Sequence, residues 1–262
     1  MTLDGREMAR EWDAIARRNP YYGVVSWPDF QDPTCIDEAR FDESGRIQAV
    51  TFLRRLGLRD TASLEMVEIG CGLGRMTHEF ARRFRLVYAL DVSAEMIGRA
   101  RARWGGLANV RFLVGSGQGL EGIADASVDF AFSFLVLQHV PDPAVVLRYV
   151  RETGRVLRPG GVAFLQLGTE GAPRRRDGRL AALGRRLTGA LGGRREWWNR
   201  GLRESRVPAR PALTVEITSR PVWRGCRVAA ADVEGAVAGA GLRLRALEGV
   251  GSQYTFVTAA KR

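Results

Sequence analysis

The chain has 262 residues, a formal net charge of +11 at pH 7 and 45% hydrophobic residues. This length and composition exclude general disorder and remove the need for a disulfide or metal staple. The longest apolar run, residues 130–137 with one serine, is too short to span a bilayer, and the charged N-terminus lacks the apolar segment of a signal peptide. Cys35, Cys71 and Cys226 are too widely spaced for a zinc ribbon or a disulfide framework, which favours a reducing, cytoplasmic location.

The positive charge is concentrated in one segment. Residues 171–210 contain 12 Arg and three acidic residues, so this segment carries +9 and the rest of the chain only +2. Of the 40 basic residues 39 are Arg, which also fits an Arg-rich coding bias. We interpret residues 174–206 as a lid or a wall of the acceptor site; contact with an anionic ligand or a peripheral membrane is the alternative, and nucleic acid is disfavoured. Leucines of this segment repeat at helical spacing: Leu180, Leu183, Leu187 and Leu191.

The N-terminal part of the chain is predicted to be helical. Residues 1–18 place Met8, Trp12 and Ile15 on one helix face. An aromatic, proline-containing loop follows, and residues 43–57 show a second amphipathic pattern. These segments precede the first strand and are expected to cover the remainder of the molecule as a helical lid.

From residue 64 onward, strand patterns alternate with helical patterns. The predicted strands are residues 63–70, 86–92, 110–115, 127–134, 161–168, 242–250 and 252–260. The predicted helices are residues 73–84, 93–104, 143–157 and 230–241. This alternation indicates an α/β fold with a parallel sheet and helices on both faces, and the short turn between the last two strands makes one of them antiparallel.

A glycine-rich turn, V-E-I-G-C-G-L-G-R at residues 67–75, joins the first of these strands to its helix. A side chain at Gly70 or Gly72 would occupy space that a ligand needs, and the helix behind the turn offers free N–H groups. Asp91 ends the next strand, where a carboxylate can accept hydrogen bonds from both hydroxyls of a ribose. The turn therefore predicts a site for a nucleoside-containing cofactor.

The spacing of the turn bears on which cofactor this is. The dinucleotide fingerprint is G-x-G-x-x-G, whereas this chain reads G-x-G-x-G with Arg75 next. Glu68, just before the turn, suits a ligand that carries an ammonium group. A nicotinamide cofactor is therefore the disfavoured alternative.

Four motifs occur in order: V-E-I-G-C-G-L-G-R, L-D-V-S-A-E-M, D-F-A-F-S-F-L-V-L-Q-H-V-P-D-P and R-V-L-R-P-G-G. Together they resemble the class I S-adenosylmethionine-dependent methyltransferases, and most of all the small-molecule enzymes of the ubiquinone/menaquinone-biosynthesis type. The resemblance covers about residues 60–170 and, more weakly, 229–260. It implies a Rossmann-like, doubly wound, seven-stranded sheet with an antiparallel last strand. The implied division is an N-terminal lid (1–59), a cofactor-binding core (60–170), an inserted cap (171–228) and closing elements (229–262).

The resemblance also implies S-adenosyl-L-methionine as the cofactor and assigns its contacts. Glu68 would lie near the ammonium group, Asp91 would bind the ribose, and Val92 and Met96 would pack on the adenine. Ser116 stands where the family commonly has Asp, so adenine recognition would rely on the Gly117 N–H, the Ser116 hydroxyl or Gln118. The implied cofactor-binding set is Glu68, Gly70, Cys71, Gly72, Gly74, Asp91, Val92, Met96, Ser116, Gly117, Gln118, Ser133 and Phe134, in which Cys71 is a small, unreactive residue.

The histidines have different predicted roles. His78 lies off the apolar stripe of its helix and is expected at the surface. His139 follows the fourth strand of the alternating part, close to the expected position of the sulfonium, where it would act as a base or contact the acceptor, unless it only caps the next helix. The predicted substrate-binding residues are Trp12, Tyr21, Tyr22, Gln138 and His139. The aromatic ones among them are equally consistent with a hydrophobic clamp that holds the N-terminal helix.

The sequence therefore predicts a methyltransferase that acts on oxygen, nitrogen or carbon of a small-molecule acceptor. It offers no cluster of metal ligands and predicts none. The alternatives are an RNA methyltransferase, a nicotinamide-dependent oxidoreductase and a non-catalytic cofactor-binding protein. RNA methylation is disfavoured because residues 133–136 read S-F-L-V and not the Asn/Asp-Pro-Pro-aromatic motif of many amino-group methylases. The oligomeric state is left open.

Overall fold

The computed structural model describes residues 4–171 and 221–262. The helices are α1 (Gly5–Arg18), α2 (Pro20–Val24), α3 (Glu38–Leu56), α4 (Thr77–Ala81), α5 (Ala94–Trp104), α6 (Pro143–Val156), α7 (Pro221–Arg224) and α8 (Ala230–Gly239). The strands are β1 (Glu65–Ile69), β2 (Leu86–Asp91), β3 (Val110–Val114), β4 (Val128–Ser133), β5 (Leu157–Leu167), β6 (Thr169–Glu170), β7 (Val228–Ala229), β8 (Leu242–Glu248) and β9 (Thr255–Lys261). The predictions made for residues 174–206, including the leucine-lined helix, lie outside the described residues.

Seven strands form one sheet in the order β3-β2-β1-β4-β5-β9-β8. The pairs among β1 to β5 are parallel, and β9 pairs antiparallel with both β5 and β8. The predicted mostly parallel, Rossmann-like sheet with an antiparallel last strand is therefore confirmed. The short strands β6 and β7 pair separately, in parallel.

The central strands are buried because helices cover both faces of the sheet, as uninterrupted apolar strands require. Every residue of β1 is buried. On the face covered by α3, α4 and α5, aromatic rings stack across neighbouring strands. Phe52 of α3 packs on Phe132 of β4 and Phe164 of β5, with ring centroids 5.6 and 5.0 Å away. These contacts fix α3 against the sheet.

The N-terminal helix is capped at its start and bound to the core through Asp13. Asp4 forms a capping box with Glu7, which satisfies free N–H groups at the start of α1. Farther along, Asp13 accepts hydrogen bonds from the Ser93 hydroxyl at 2.6 Å and from the Glu95 N–H at 3.0 Å. Because Ser93 is the N-cap of α5, a carboxylate of α1 completes the cap of a core helix. This contact places α1 over the carboxyl ends of the strands.

Several predicted boundaries were wrong. The helix expected over residues 73–84 is only Thr77–Ala81, because the glycine turn continues through residue 76. The helix expected to begin at residue 43 starts at Glu38, after an N-cap at Asp37. His78 is buried rather than exposed, since its ring stacks on Trp104 at a centroid distance of 4.7 Å.

Among the described residues, every helix is too short or too polar to cross a bilayer.

Candidate active site

A cavity lies at the carboxyl ends of β1, β2 and β4, beneath α1 and α2. This is where the strand order reverses, since β1 is flanked by β2 on one side and β4 on the other. Open α/β sheets bind ligands at such a switch point. The lining residues from the lid are Met8, Trp12, Gly23 and Val24; those from the core include Glu68, Gly70, Cys71, Gly72, Arg75, Asp91, Val92, Met96, Gly115, Phe134, Leu135, Val136, His139 and Tyr149.

The glycine turn has the backbone conformation that its sequence demands. Gly70, Gly72 and Gly74 have φ values of +78°, +54° and +76°, which L side chains rarely adopt. A Cβ at Gly70 would clash with the side chain of Val136, and one at Gly72 would lie 2.6 Å from Val24. Side chains of this chain therefore lie against the turn, which gives a packing reason for glycine beside the expected one of ligand access. Gly74 lies outside the cavity lining.

Asp91 connects the glycine turn to the start of α5. Its Oδ2 accepts the Gly72 N–H at 2.8 Å, and its Oδ1 accepts the Ser93 N–H at 2.9 Å. Burial raises the pKa of Asp91, and these backbone donors oppose that shift. Each carboxylate oxygen keeps a lone pair for a further donor, so Asp91 can still accept hydrogen bonds from a ligand in the cavity.

Glu68 and Arg75 bring an acidic and a basic side chain to the same cavity. The Thr77 hydroxyl donates to Glu68 Oε2 at 2.6 Å, and burial raises the pKa of Glu68 to about 8. Burial lowers the pKa of Arg75 to about 10, so it remains a cation at neutral pH. The sequence argument used Arg75 only against a nicotinamide fingerprint and missed it as a lining residue. The signal was available, because an arginine directly after a ligand-binding turn is a charge placed beside the ligand.

His139 is held as a neutral imidazole. Its Nδ1 lies 3.1 Å from the carbonyl oxygen of Trp223, and its Nε2 lies 2.9 Å from the side-chain nitrogen of Gln138. The arrangement that satisfies both contacts has Nδ1–H donating to the carbonyl and Nε2 accepting from the amide. Burial lowers the pKa of His139 to about 4. The ring therefore carries no charge at neutral pH, and its acceptor nitrogen is occupied by the Gln138 amide.

A buried amide behind His139 organises the loop that follows β4. Gln166, which is 0% exposed, donates to Gln138 Oε1 and to the carbonyl of Gln253, each at 2.6 Å, and accepts the Leu135 N–H at 2.7 Å. Leu135 has φ +61°, a strained value for a residue with a side chain. Gln166 thus supports a strained, cavity-lining loop and, through Gln138, the histidine. Sequence reasoning missed it because glutamine within a strand has no motif.

Aromatic rings form the wall beside His139. Trp12 of α1 meets the imidazole edge-on at 5.7 Å, and Trp223 lies 5.2 Å from it. Tyr22 stacks on Trp223 at 6.1 Å and so supports this wall from behind. Tyr21 lies elsewhere: its hydroxyl donates to Glu38 and its ring packs on Phe41, which matches the clamp interpretation for that residue.

The structure brings many of the predicted residues together, but not all of them. The predicted residues that line the cavity are Trp12, Glu68, Gly70, Cys71, Gly72, Asp91, Val92, Met96, Phe134 and His139. Those outside its lining are Tyr21, Tyr22, Gly74, Ser116, Gly117, Gln118, Ser133 and Gln138.

Two groups of these outlying residues have clear structural surroundings. Ser116 and Gln118 line a neighbouring cavity, and the Ser116 hydroxyl donates to Glu121 at 2.7 Å. Ser133 is fully buried, and its hydroxyl donates to the Ile69 carbonyl at 3.3 Å. Within the lining, burial raises the pKa of the Cys71 thiol well above its usual value, which fits an unreactive residue.

Comparison with known proteins points to one family. Residues 67–165 match the family model described as a methyltransferase domain. Over 105 residues the chain is 39% identical to trans-aconitate 2-methyltransferase of Deinococcus radiodurans, covering 39% of this chain and 37% of that relative. Over 109 residues it is 33% identical to ubiquinone biosynthesis O-methyltransferase of Xanthomonas oryzae pv. oryzae, covering 40% of this chain and 44% of that relative. The matches thus span less than half the length of these relatives.

The fold is also found among solved structures. The chain is similar to the [4+2]-cyclase SpnF, with a TM-score of 0.58 and 16% identity; the match covers 100% of this chain and 97% of that one. An identity this low shows a common fold alone, because one fold hosts many chemistries.

Proposed function

Residues 67–165 form a class I S-adenosylmethionine-dependent methyltransferase domain, and on that premise we propose that the chain transfers a methyl group from S-adenosylmethionine to a small-molecule acceptor. The observation that carries the proposal is the composition of one cavity. Glu68, the glycine turn and Asp91 line it together at the carboxyl ends of adjacent strands. Each of them matches a different part of the cofactor.

The residues fit the cofactor by their chemistry. The Glu68 carboxylate suits the ammonium group, and Asp91 retains acceptor capacity for the ribose hydroxyls. The side chains of Val92 and Met96, with Met8 from the lid, supply apolar surface for the adenine. The cofactor, when bound, supplies a sulfonium methyl group that is already activated for nucleophilic attack.

The chain's own contribution is alignment and exclusion of water. The lid residues Trp12 and Val24 line the cavity on the side of α1 and α2 and reduce the access of water to the reacting region. His139 presents an uncharged ring at the aromatic end, where its Nε2 can accept a hydrogen bond from an acceptor hydroxyl or amine once the Gln138 amide turns away. A ring with a pKa of about 4 is a weak base, so its main role is to orient the acceptor.

The acceptor class and the location complete the proposal. We assign a small molecule that is methylated on oxygen, nitrogen or carbon, and a cytoplasmic site of action. The Arg-rich segment at residues 174–206 carries the proposed contact with an anionic or membrane-associated acceptor. The support for a small acceptor is that the two relatives described above are named for small molecules, trans-aconitate and ubiquinone.

Titrations with S-adenosylhomocysteine, NADH and NADPH test the choice of cofactor. We expect S-adenosylhomocysteine to bind one site and both nicotinamide cofactors not to bind. Asp91→Ala should weaken that binding at least about tenfold, because it removes a charged acceptor. Binding of NADH without binding of S-adenosylhomocysteine would refute the proposal and favour an oxidoreductase.

A further inference from the structure

Arg75 is a buried charge that the proposed reaction does not yet use. Its side chain lies in the wall that also holds Glu68, and Arg75 is only 3% exposed. Its Nη1 donates to the Ser44 hydroxyl at 3.0 Å and its Nη2 to Gln48 Oε1 at 2.7 Å. Its Nε–H is buried and has no hydrogen-bond partner among the residues that the structure describes.

The partners of Arg75 position the guanidinium without neutralising it. Ser44 and Gln48 lie one turn apart on α3, and both are uncharged acceptors. A Cβ at Gly45 would clash with the carbonyl oxygen of Arg75, so α3 approaches the turn as closely as its backbone allows. The guanidinium is therefore fixed in place as a full positive charge.

Glu68 and Asp42 both interact electrostatically with Arg75, and among the described residues neither forms an ion pair with it. The Glu68 carboxylate instead accepts from Thr77. A buried cation without a directly paired carboxylate is costly, and an N–H without an acceptor adds to that cost. Glu68 becomes charged when it binds an ammonium group, and Glu68 and Arg75 together then form a site that a zwitterion would complete.

We propose that Arg75 binds the α-carboxylate of the cofactor's amino-acid part through its free Nε–H, while Glu68 takes the α-ammonium group. The inference rests on the proposed function, because it names the partner of one more group of the same cofactor. Arg75 then acts as a specificity residue: it distinguishes a cofactor with an amino-acid head from adenosine derivatives without one.

A purely structural role makes a different prediction. If Arg75 only ties the glycine turn to α3, its replacement should weaken every ligand of the cavity alike. If it binds the carboxylate, its replacement should weaken only those ligands that carry one. A pair of ligands that differ by this single group therefore separates the two roles.

The experiment measures binding of S-adenosylhomocysteine and of its decarboxylated counterpart by calorimetry, to the full chain and to Arg75→Met. For the unchanged chain we expect the decarboxylated ligand to bind roughly 10- to 100-fold more weakly, the range of one charge-assisted hydrogen bond. In Arg75→Met the two ligands should bind within about threefold of each other, because the carboxylate has lost its partner.

Other outcomes overturn the inference or its premise. If the affinities of the two ligands for Arg75→Met differ as much as they do for the unchanged chain, another group binds the carboxylate. If Arg75→Met does not fold, Arg75→Lys replaces it. The difference in affinity between the two ligands should then decrease, because lysine lacks the planar guanidinium group. If the affinities of the two ligands for the unchanged chain differ by less than about threefold, this result alone contradicts the inference. Failure of both ligands to bind the unchanged chain would instead refute the proposed function.

Discussion

The Glu68 carboxyl group illustrates how the site is tuned at the scale of single residues. It is 4% exposed, and burial raises its pKa to about 8, so the free protein holds it largely protonated at neutral pH. Binding an ammonium group requires the charged form. Cofactor binding is therefore linked to the release of a proton from Glu68.

This linkage predicts a pH dependence of binding. Because the pKa of Glu68 is raised in the free protein and falls when the ammonium binds, affinity for S-adenosylhomocysteine should rise with pH up to about 8, by up to about tenfold per pH unit. Titrations between about pH 6 and about pH 7.5 measure this slope. Glu68→Gln should bind more weakly and show a flatter profile; equal slopes for both proteins would contradict the assignment.

His139 leads to a second prediction at this scale. An ordinary histidine is mostly charged at about pH 5, but a pKa of about 4 keeps His139 neutral there. Ring resonances measured by nuclear magnetic resonance should show that His139 stays uncharged at this pH. The chain has only two histidines, so His139→Gln assigns the signal. A titration midpoint of His139 near its ordinary value would remove the argument for a neutral acceptor.

Sequence predicted the residues whose position follows from a strand end. Glu68 and Asp91 precede turns at the carboxyl ends of parallel strands, so the fold brings them to one cavity. The surroundings of Arg75 and His78 were not predictable, because they depend on how closely α3 and Trp104 pack on the turn. Such contacts join residues far apart in sequence and leave no periodic pattern.

At the scale of elements, the glycine turn is the most constrained connection. Gly70→Ala should lower the free energy of unfolding by at least about 2 kcal/mol, because a left-handed φ strains alanine and its Cβ meets Val136. Gly98→Ala is the matched control. It lies inside α5 with open space around it, so it should stabilise the chain by about 0.5–1 kcal/mol. Denaturant unfolding measures both, and similar effects of the two variants would contradict the account of the turn.

The loop after β4 depends on Gln166. Gln166→Leu removes the acceptor of the Leu135 N–H and one partner of Gln138, so it should lower the free energy of unfolding by about 1–3 kcal/mol. It should also shift the ring resonances of His139, which Gln138 contacts. Gln118→Leu, at an exposed hydrogen bond, should change stability by less than about 0.5 kcal/mol. Unchanged His139 resonances in Gln166→Leu would show that Gln166 does not influence the ring through Gln138.

The type of an element was predictable where the hydrophobic periodicity is strong. The ends of an element were not predictable where a turn continues the same apolar pattern. The buried parallel strands and α5 follow from apolar runs and an N-cap serine. The helix after the glycine turn was predicted too long because its apolar stripe continues through residues that fold as turns. There, three glycines at positive φ determine the backbone locally and override the helical pattern.

For the whole molecule, the charge distribution separates the chain into two parts. Residues 171–210 hold +9 of the total +11, so the remaining residues that form the sheet, helices and cavity are nearly neutral. The net charge is therefore no argument for nucleic acid at the cofactor site. The fold was predictable as a whole because four motifs occur in order, whereas the acceptor leaves no comparable motif in the sequence.

The central claim is that the chain transfers a methyl group to a small molecule. It is tested most directly by incubating the chain with a fractionated small-molecule extract and S-adenosylmethionine that carries an isotope-labelled methyl group. Mass spectrometry should find a labelled product and equivalent S-adenosylhomocysteine with the unchanged chain, and neither with Asp91→Ala. Binding of S-adenosylmethionine without any labelled product, in fractions that cover phenols, amines and carboxylic acids, would contradict the claim and leave a cofactor-binding protein without methyl transfer.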